Sequence, residues 1–474
     1  MEHLLSNICD KLIKENQQSD IWIQQICAVK SQNSISLCHL FPTSIGESEL
    51  TPTAFLQKTK YLIITTILYY LSPTTISEKN QLQRIIQLFS SHSYSSIPTC
   101  SIGIACCLDL FGNRRNFFSS QEKYSQLYPI NSDAKSNLEL SVLSWLLAVI
   151  NKGNSDYIRD FIHHSEKCIA LIDERYGPIF TLWIREEDFC FEDILLQYFL
   201  VVYGLVTFNI EGVSETLISS LMEKINCLLT TQDSGVSAFT MSLLLFCNQS
   251  RSEPLGSTYS LKKKSSCIAV SSSKEICVAI TTVGKNTGVG YIQRGKVIIT
   301  NLGPHFFPLG EMDHFGIFHS STWRTEKNYT TQPLHIKSWI SLPSIKLLNK
   351  VEKFIKGDIE MELEVEQKEC DIDIGIRLIG PIHSNKLAFT FFLQAKELIV
   401  GDIKLQPYSL NRYQGVNMPI RATHGSDFIV IVPNFIGEMQ IFSLAGKNHF
   451  WGSQFLLAYS LVDEDKRYQW NVSY

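Results

Sequence analysis

No stretch of the sequence holds the ~20 consecutive apolar residues that a bilayer-crossing helix needs. The longest apolar runs, residues 61–71 and 195–208, fall short of that and read as helices buried on most sides. A basic segment followed by an apolar core is missing at the N-terminus, so a signal peptide of the usual kind is not expected. Cytoplasm is therefore the expected compartment, with export that uses no cleaved signal left open. Charge is sparse too. Charged residues make up 19% of the chain and the formal net charge is −4, without the basic field that nucleic acid favours. The one tight basic run, Lys262, Lys263 and Lys264, reads as a solvated linker or a docking patch.

Several motifs are absent. The thirteen cysteines include no CxxC pair, which removes the spacing of zinc ribbons and thioredoxin-like sites. Most lie within apolar runs, as in Ile104-Ala105-Cys106-Cys107-Leu108, and are expected to be buried, reduced thiols. There is no GxSxG elbow and no HExxH, so the common serine-hydrolase and zinc-protease routes have no footing. The glycine-rich loop GKNTGVG at 284–290 fits neither the dinucleotide fingerprint nor the phosphate-binding loop, and no helical pattern follows it. It reads as a hairpin. No cofactor is expected. No internal repeat at a fixed period occurs either, which argues against a regular solenoid.

What is present divides the chain in two. Its 474 residues are long for one core. Residues 1–250 carry apolar positions at helical spacing in about ten segments, with apolar helices alternating with more polar ones. Thr51-Pro52 reads as an N-cap followed by proline in the first turn, opening a helix to residue 71. Ser77 is expected to cap the next helix, over 78–90, and Ser155 one that reaches about residue 172. An inner ring of buried helices inside an outer ring, an incomplete α/α toroid, satisfies this alternation; so does a helical bundle. Residues 251–264 are polar, hold Pro and Gly, and form the expected linker.

From residue 265 to 474 the period changes to two. Strands are expected over 266–270, 275–283, 288–293 and 296–301, then over 334–342, 358–366, 371–379, 387–394, 397–403, 418–423, 428–432, 438–443, 454–461 and 467–472. Residues 360–366, EMELEVE, alternate strictly, with one acidic wet face and one apolar buried face. Many short strands without intervening helices give a large antiparallel β-sandwich. The fold class is thus α+β with two domains: an all-α domain followed by a large antiparallel β-sandwich.

Two stretches concentrate chemistry. Residues 303–327, GPHFFPLGEMDHFGIFHSSTWRTEK, hold three of the twelve histidines. His305, His314, His319 and Arg324 are candidate cationic groups, and Tyr329 is a candidate acid or base. Glu311 and Asp313 can orient a histidine or form a carboxylate pair, and Trp323 can stack on a sugar ring. Glycoside hydrolysis would set such carboxyls ~5–5.5 Å apart for retention or ~6.5–9.5 Å for inversion. His305, Asp313, His314 and His319 are acceptable metal ligands by type, but their spacing matches no metal motif, and no metal is expected. The competing reading makes Phe306, Phe307, Phe315 and Phe318 core and Gly303-Pro304 a turn. The second stretch, residues 173–193, sets Trp183 and Arg185 among acids and aromatics beside the Gly177-Pro178 break, as either a sugar-binding lip or a capped helix start.

A helical domain followed by a large antiparallel sandwich resembles the layout of polysaccharide lyases of the heparinase II/III-like kind. The resemblance spans most of the chain and rests on the order, size and class of the domains, with no local motif. It implies a glycan held in a cleft between the two domains. It also implies a tyrosine and a histidine handling the proton α to a uronate carboxylate, with Asn, Arg or His neutralising that carboxylate. Whether the chain is a lyase, a hydrolase or a non-catalytic binder of a glycan or of a protein, the latter through its helical domain, stays open at the level of sequence.

Overall fold

The computed structural model describes residues 2–15, 21–30, 51–72, 76–111, 134–151, 155–169, 171–173, 176–179, 190–230, 236–249, 259–261, 268–281, 289–306, 318–319, 328–331, 334–348, 351–380, 387–409, 412–444, 450–462 and 466–474. An N-terminal helical region is followed by large antiparallel sheets arranged as a sandwich. The chain splits into two compact units, Met1–Ile169 with Glu192–Lys264, and Ala170–Phe191 with Ser265–Tyr474.

The described helices are α1 (Glu2–Glu15), α2 (Ile21–Lys30), α3 (Pro52–Leu71), α4 (Ile76–Ser91), α5 (Pro98–Leu110), α6 (Ala134–Ile150), α7 (Ser155–Ile169), α8 (Phe191–Thr207), α9 (Glu215–Thr230) and α10 (Ala238–Gln249). Apolar helices lie in the interior of the helical unit and amphipathic ones flank them. Residues from Asp193 to Leu205 on α8 are buried on every side, as are Ala238 to Cys247 on α10. Helix α7 instead buries one stripe that includes Ile158, Phe161 and Ile162. Helix α3 packs on α5 and α10, α5 on α6, α6 on α7, and α10 on α1.

Local chemistry sets the helix ends. The Thr51 Oγ1 accepts a hydrogen bond from the Ala54 N–H at 3.2 Å, and Pro52 follows in the first turn. Ser77 is not a cap, because α4 already begins at Ile76. Helix α7 ends at Ile169, short of the expected residue 172, where Ile172 instead enters a strand. Two buried polar ties cross the apolar interior. Lys60 on α3 meets Glu139 on α6 at 2.5 Å. Asp193 on α8 accepts from the Ser237 N–H at 2.9 Å and the Ser237 hydroxyl at 2.7 Å, where α10 starts. Gln197 donates to Asp193 and to Thr240, each at 3.0 Å.

Short strands β1 (Ile172–Asp173) and β2 (Gly177–Pro178) form a hairpin. It groups with the sandwich rather than with the helices around it in sequence. The Tyr176 hydroxyl donates to the Ser273 carbonyl at 3.3 Å, and Asp173 closes the turn by accepting from the Tyr176 N–H at 3.0 Å. Strands β3 (Ile210–Glu211) and β4 (Tyr259–Ser260) pair in parallel within the helical unit.

The sandwich begins with β5 (Ile268–Ser272), β6 (Cys277–Thr281), β7 (Gly290–Arg294), β8 (Val297–Phe306) and β9 (Phe318–His319). It continues with β10 (Asn328–Thr331), β11 (Leu334–Leu348), β12 (Val351–Gln367), β13 (Asp371–Ile379), β14 (Leu387–Gln394), β15 (Glu397–Val400) and β16 (Ile403–Leu405). It closes with β17 (Tyr413–Val416), β18 (Ile420–His424), β19 (Asp427–Pro433), β20 (Glu438–Ser443), β21 (Phe455–Ser460) and β22 (Arg467–Ser473). The first sheet runs β17-β20-β21-β14-β8-β7-β6-β5, with β9 also on β8; the second runs β10-β11-β12-β13-β22-β19-β18-β15-β16. Their inner faces share one core that includes Ile292, Phe389, Phe391, Leu363, Ile374 and Trp470. Phe389 stacks on Trp470 with ring centroids 4.7 Å apart.

Strands β11 and β12 run well past the expected 334–342 and 358–366. Pro343 sits at the register shift between Leu342 and Pro343, where β11 has only β12 as a described partner.

Burial sets the acid response of the helical unit through His164 on α7. Burial, with His163 and Lys167 adding to it, holds its imidazole down at about 3. Unfolded, the same ring takes a proton near its ordinary value of 6.5. Between those values the unfolded state binds more protons, so stability falls as pH falls through that window. Denaturant unfolding followed by far-ultraviolet circular dichroism is expected to show this loss, and His164→Gln is expected to flatten it. A second prediction concerns Gly204 on α8, whose Cβ would lie 2.8 Å from Trp145 Nε1 and 2.9 Å from Phe161 Cζ. Both rings are fully buried, so Gly204→Ala is expected to cost about 1–3 kcal/mol in the same measurement.

Candidate functional site

The histidine-rich stretch is reached by β8 from one side. Gly303 and Pro304 do not form the turn of the competing reading. They lie inside β8, opposite Thr390 and Phe389 of β14, and are buried. The proline is tolerated because β7 pairs with β8 only as far as Leu302 and β9 begins at His305, so no described strand faces Pro304 on that side. His305 stands opposite Ala388 on β14 and opposite His319 on β9. The fold thus brings His305 and His319 into register on neighbouring strands. Tyr329 lies elsewhere, on β10 in the second sheet, opposite Ile336. Glu311, Asp313, His314, Trp323 and Arg324, like Trp183 and Arg185, lie outside the described residues.

A better-defined constellation covers the outer face of the second sheet. Ile336, Met361, Leu363, Val365, Ile374, Ile376 and Tyr468 point into the core. Because side chains alternate along a strand, the residues between them line the opposite face. Register then arranges that face in rungs. Trp339, Glu362, Arg377 and Arg467 make one rung across β11, β12, β13 and β22. Lys337, Glu364, Gly375 and Gln469 make the next, and His335, Glu366, Asp373 and Asn471 a third.

The ion pairs run diagonally between rungs. Lys337 Nζ meets Glu362 at 2.6 Å, and His335 Nε2 lies 3.2 Å from Glu364. Arg467 donates to the other oxygen of Glu364 at 2.8 Å, although β13 runs between their strands. It can do so because residue 375 is glycine. A Cβ there would lie 3.6 Å from Arg467 Nη2, so the guanidinium passes over the gap. Lys337, Glu362, Glu364, Gly375, Ile376, Arg377 and Arg467 line a groove of about 380 Å³ at this point. The Lys337 ammonium also lies 5.9 Å from the Trp339 ring centroid.

Protonation follows these contacts. The hydrogen bond to Glu362 raises the Lys337 pKa, and the bond to Asp373 raises that of Lys368. Burial pushes the Asp373 carboxyl up, but Lys368 at 2.5 Å and Asn471 at 2.9 Å outweigh it and leave the carboxyl below its ordinary value. Every carboxylate named in these pairs accepts from a neighbouring cation or amide. The groove therefore offers fixed acceptors and donors for a ligand.

Among the described residues no group of three or more His, Cys, Asp or Glu is placed to hold a metal ion, and no helix is long and apolar enough to cross a membrane. The described cysteines are free thiols. Burial pushes Cys100 up to about 11 and Cys107 up to about 12.

No protein-family model matches the chain, and no curated protein matches it. Among solved structures, the 4-alpha-glucanotransferase from Thermococcus litoralis is similar at 11% identity and a TM-score of 0.30. The alignment covers 88% of this chain and 72% of that one. A score of that size carries no argument about fold or activity.

Sequence reasoning found the acidic edge of this site and missed the rest. Alternation marks Glu362 and Glu364 as outward. Lys337, Trp339, Arg377 and Arg467 alternate in the same way, but nothing in the chain says that their strands are neighbours. The Gly375 gap yields a prediction. Gly375→Ala is expected to keep the Arg467–Glu364 pair, and Gly375→Val to displace the guanidinium and fill the groove. The pair is exposed and so worth only ~0–1 kcal/mol. Both variants are therefore expected to melt within about 2 °C of the parent, with crystal structures to show the position of Arg467.

Proposed function

We propose that this is a carbohydrate-active protein that binds a glycan on the outer face of its second sheet. The observation that carries the reading is the Gly375 groove, an indentation in an open sheet face walled by paired carboxylates and cations and bordered by the rung that holds Trp339. Sugar rings present an apolar C–H face to an aromatic ring and hydroxyls to fixed donors and acceptors. A carboxylate in an ion pair keeps lone pairs for a hydroxyl, and a guanidinium keeps N–H groups. The alternation of buried and amphipathic helices supports reading the helical unit as an incomplete α/α toroid. Glycan-array screening followed by calorimetry tests the proposal. Trp339→Ala and Gly375→Val are each expected to weaken binding at least tenfold, about 1.4 kcal/mol. Retention of no glycan, or unchanged affinity in both variants, would sink it.

One observation favours a second reading, glycan cleavage at the histidine stretch: the register that sets His305 opposite His319. In it a histidine neutralises developing charge and a residue of the 303–327 stretch moves the proton. Release of unsaturated or reducing ends from a polysaccharide panel tests this. His305→Ala and His319→Ala are each expected to abolish turnover, and unchanged turnover in both would refute it.

A further inference from the structure

We infer that the glycan held on the second sheet is one without carboxylate, sulfate or phosphate groups; this rests on the binding reading above. The ground is the charge written into the rungs. The outward positions of β11, β12, β13 and β22 around the groove include the carboxylates Glu360, Glu362, Glu364, Glu366, Asp371 and Asp373. Against these six stand three strand cations, Lys337, Arg377 and Arg467, with Lys368 in the adjoining turn.

Three of these four cations are held by named carboxylates. Lys337 is held by Glu362 at 2.6 Å, Arg467 by Glu364 at 2.8 Å, and Lys368 by Asp373 at 2.5 Å. To bind a polyanion, the face would have to give up these pairs and bring new negative charge against its own. In the third rung Glu366 already stands opposite Asp373, and like charges in that register disfavour each other. The Lys368 and Asn471 contacts to Asp373 answer that repulsion. A ligand carboxylate laid along the rungs would add to it.

Neutral hydroxyls meet none of these objections. They donate to the remaining lone pairs of Glu362 and Glu364 and accept from the remaining N–H groups of Arg467 without breaking an ion pair. An amine-bearing sugar gains further, because its ammonium meets a surplus of carboxylate. The groove floor fits the same picture, since the Arg467 guanidinium lying over Gly375 presents N–H groups to a hydroxyl.

The test measures binding of three oligosaccharides of matched length to the whole chain: a neutral glucan, a chitosan fragment and an alginate fragment. Each is measured at low and at physiological ionic strength, with Gly375→Val as the control for the site. The expected result is binding of the glucan or the chitosan fragment, lost at least tenfold in Gly375→Val, with alginate bound at least tenfold more weakly. A variant carrying Glu360→Gln, Glu366→Gln and Asp371→Asn together is expected to narrow that gap, because it removes charge without touching the groove lining. Alginate bound as tightly as the neutral glucan, and lost in Gly375→Val, overturns the inference while the binding reading stands. No oligosaccharide sensitive to Gly375→Val overturns both.

Discussion

Burial of the inner face of the second sheet is the constraint on which the rest of the sandwich depends. Met361, Leu363 and Val365 on β12 are fully buried, as are Ile372, Ile374 and Ile376 on β13. A slip of one residue in either strand would drive these side chains into water and bring glutamates and aspartates into the core. Each fully buried aliphatic side chain contributes roughly 1.5–3 kcal/mol relative to exposure. Register is therefore held far more strongly by the core than by any surface ion pair. The rungs of the outer face are a consequence of that register.

The same division of labour explains why the outer face can carry so much charge. Exposed pairs such as Lys368–Asp373 add little to stability. Their positions are set from below by the core, so the side chains are free to be chosen for what they meet. Arg467 reaches Glu364 across an intervening strand only because Gly375 leaves the space open. One missing side chain thus makes both the bridge and the groove. In the helical unit the economy is reversed. Its interior helices are largely apolar, and the charged groups among them, Lys60 with Glu139 and Asp193 with Gln197 and Ser237, are tied to partners. A charge buried without such a partner costs several kcal/mol, so each of these ties is a constraint on how the helices meet.

Much of the architecture was legible in the chain. The change of period near residue 265, the cap at Thr51-Pro52 and the alternation in 360–366 are local signals with local causes. Strands at 371–379, 387–394 and 438–443 were bounded by their own alternation and turn residues, and they appear at those limits. The failures also have causes. Gly303-Pro304 carries the local chemistry of a turn, but β14 alongside gives it a ladder to join, and tertiary pairing overrides the local preference. Residues 343–357 lack clean alternation, yet β11 and β12 continue to pair there. The hairpin at Ile172–Asp173 and Gly177–Pro178 reads as an interruption of helices, yet its partner Ser273 lies about a hundred residues away in sequence.

The sequence by itself determined which residues face water on each strand and which helices are buried, because hydrophobic burial acts on every residue through the fixed periods of helix and strand. The tertiary structure alone decided which strands are neighbours. That choice set Trp339, Glu362, Arg377 and Arg467 in one rung, left a gap at Gly375 in the next, put His305 opposite His319, and sent Tyr329 to the other sheet. Strand order is a property of the whole core, since each inner strand must find two partners and a shared apolar face at once. No local pattern encodes it.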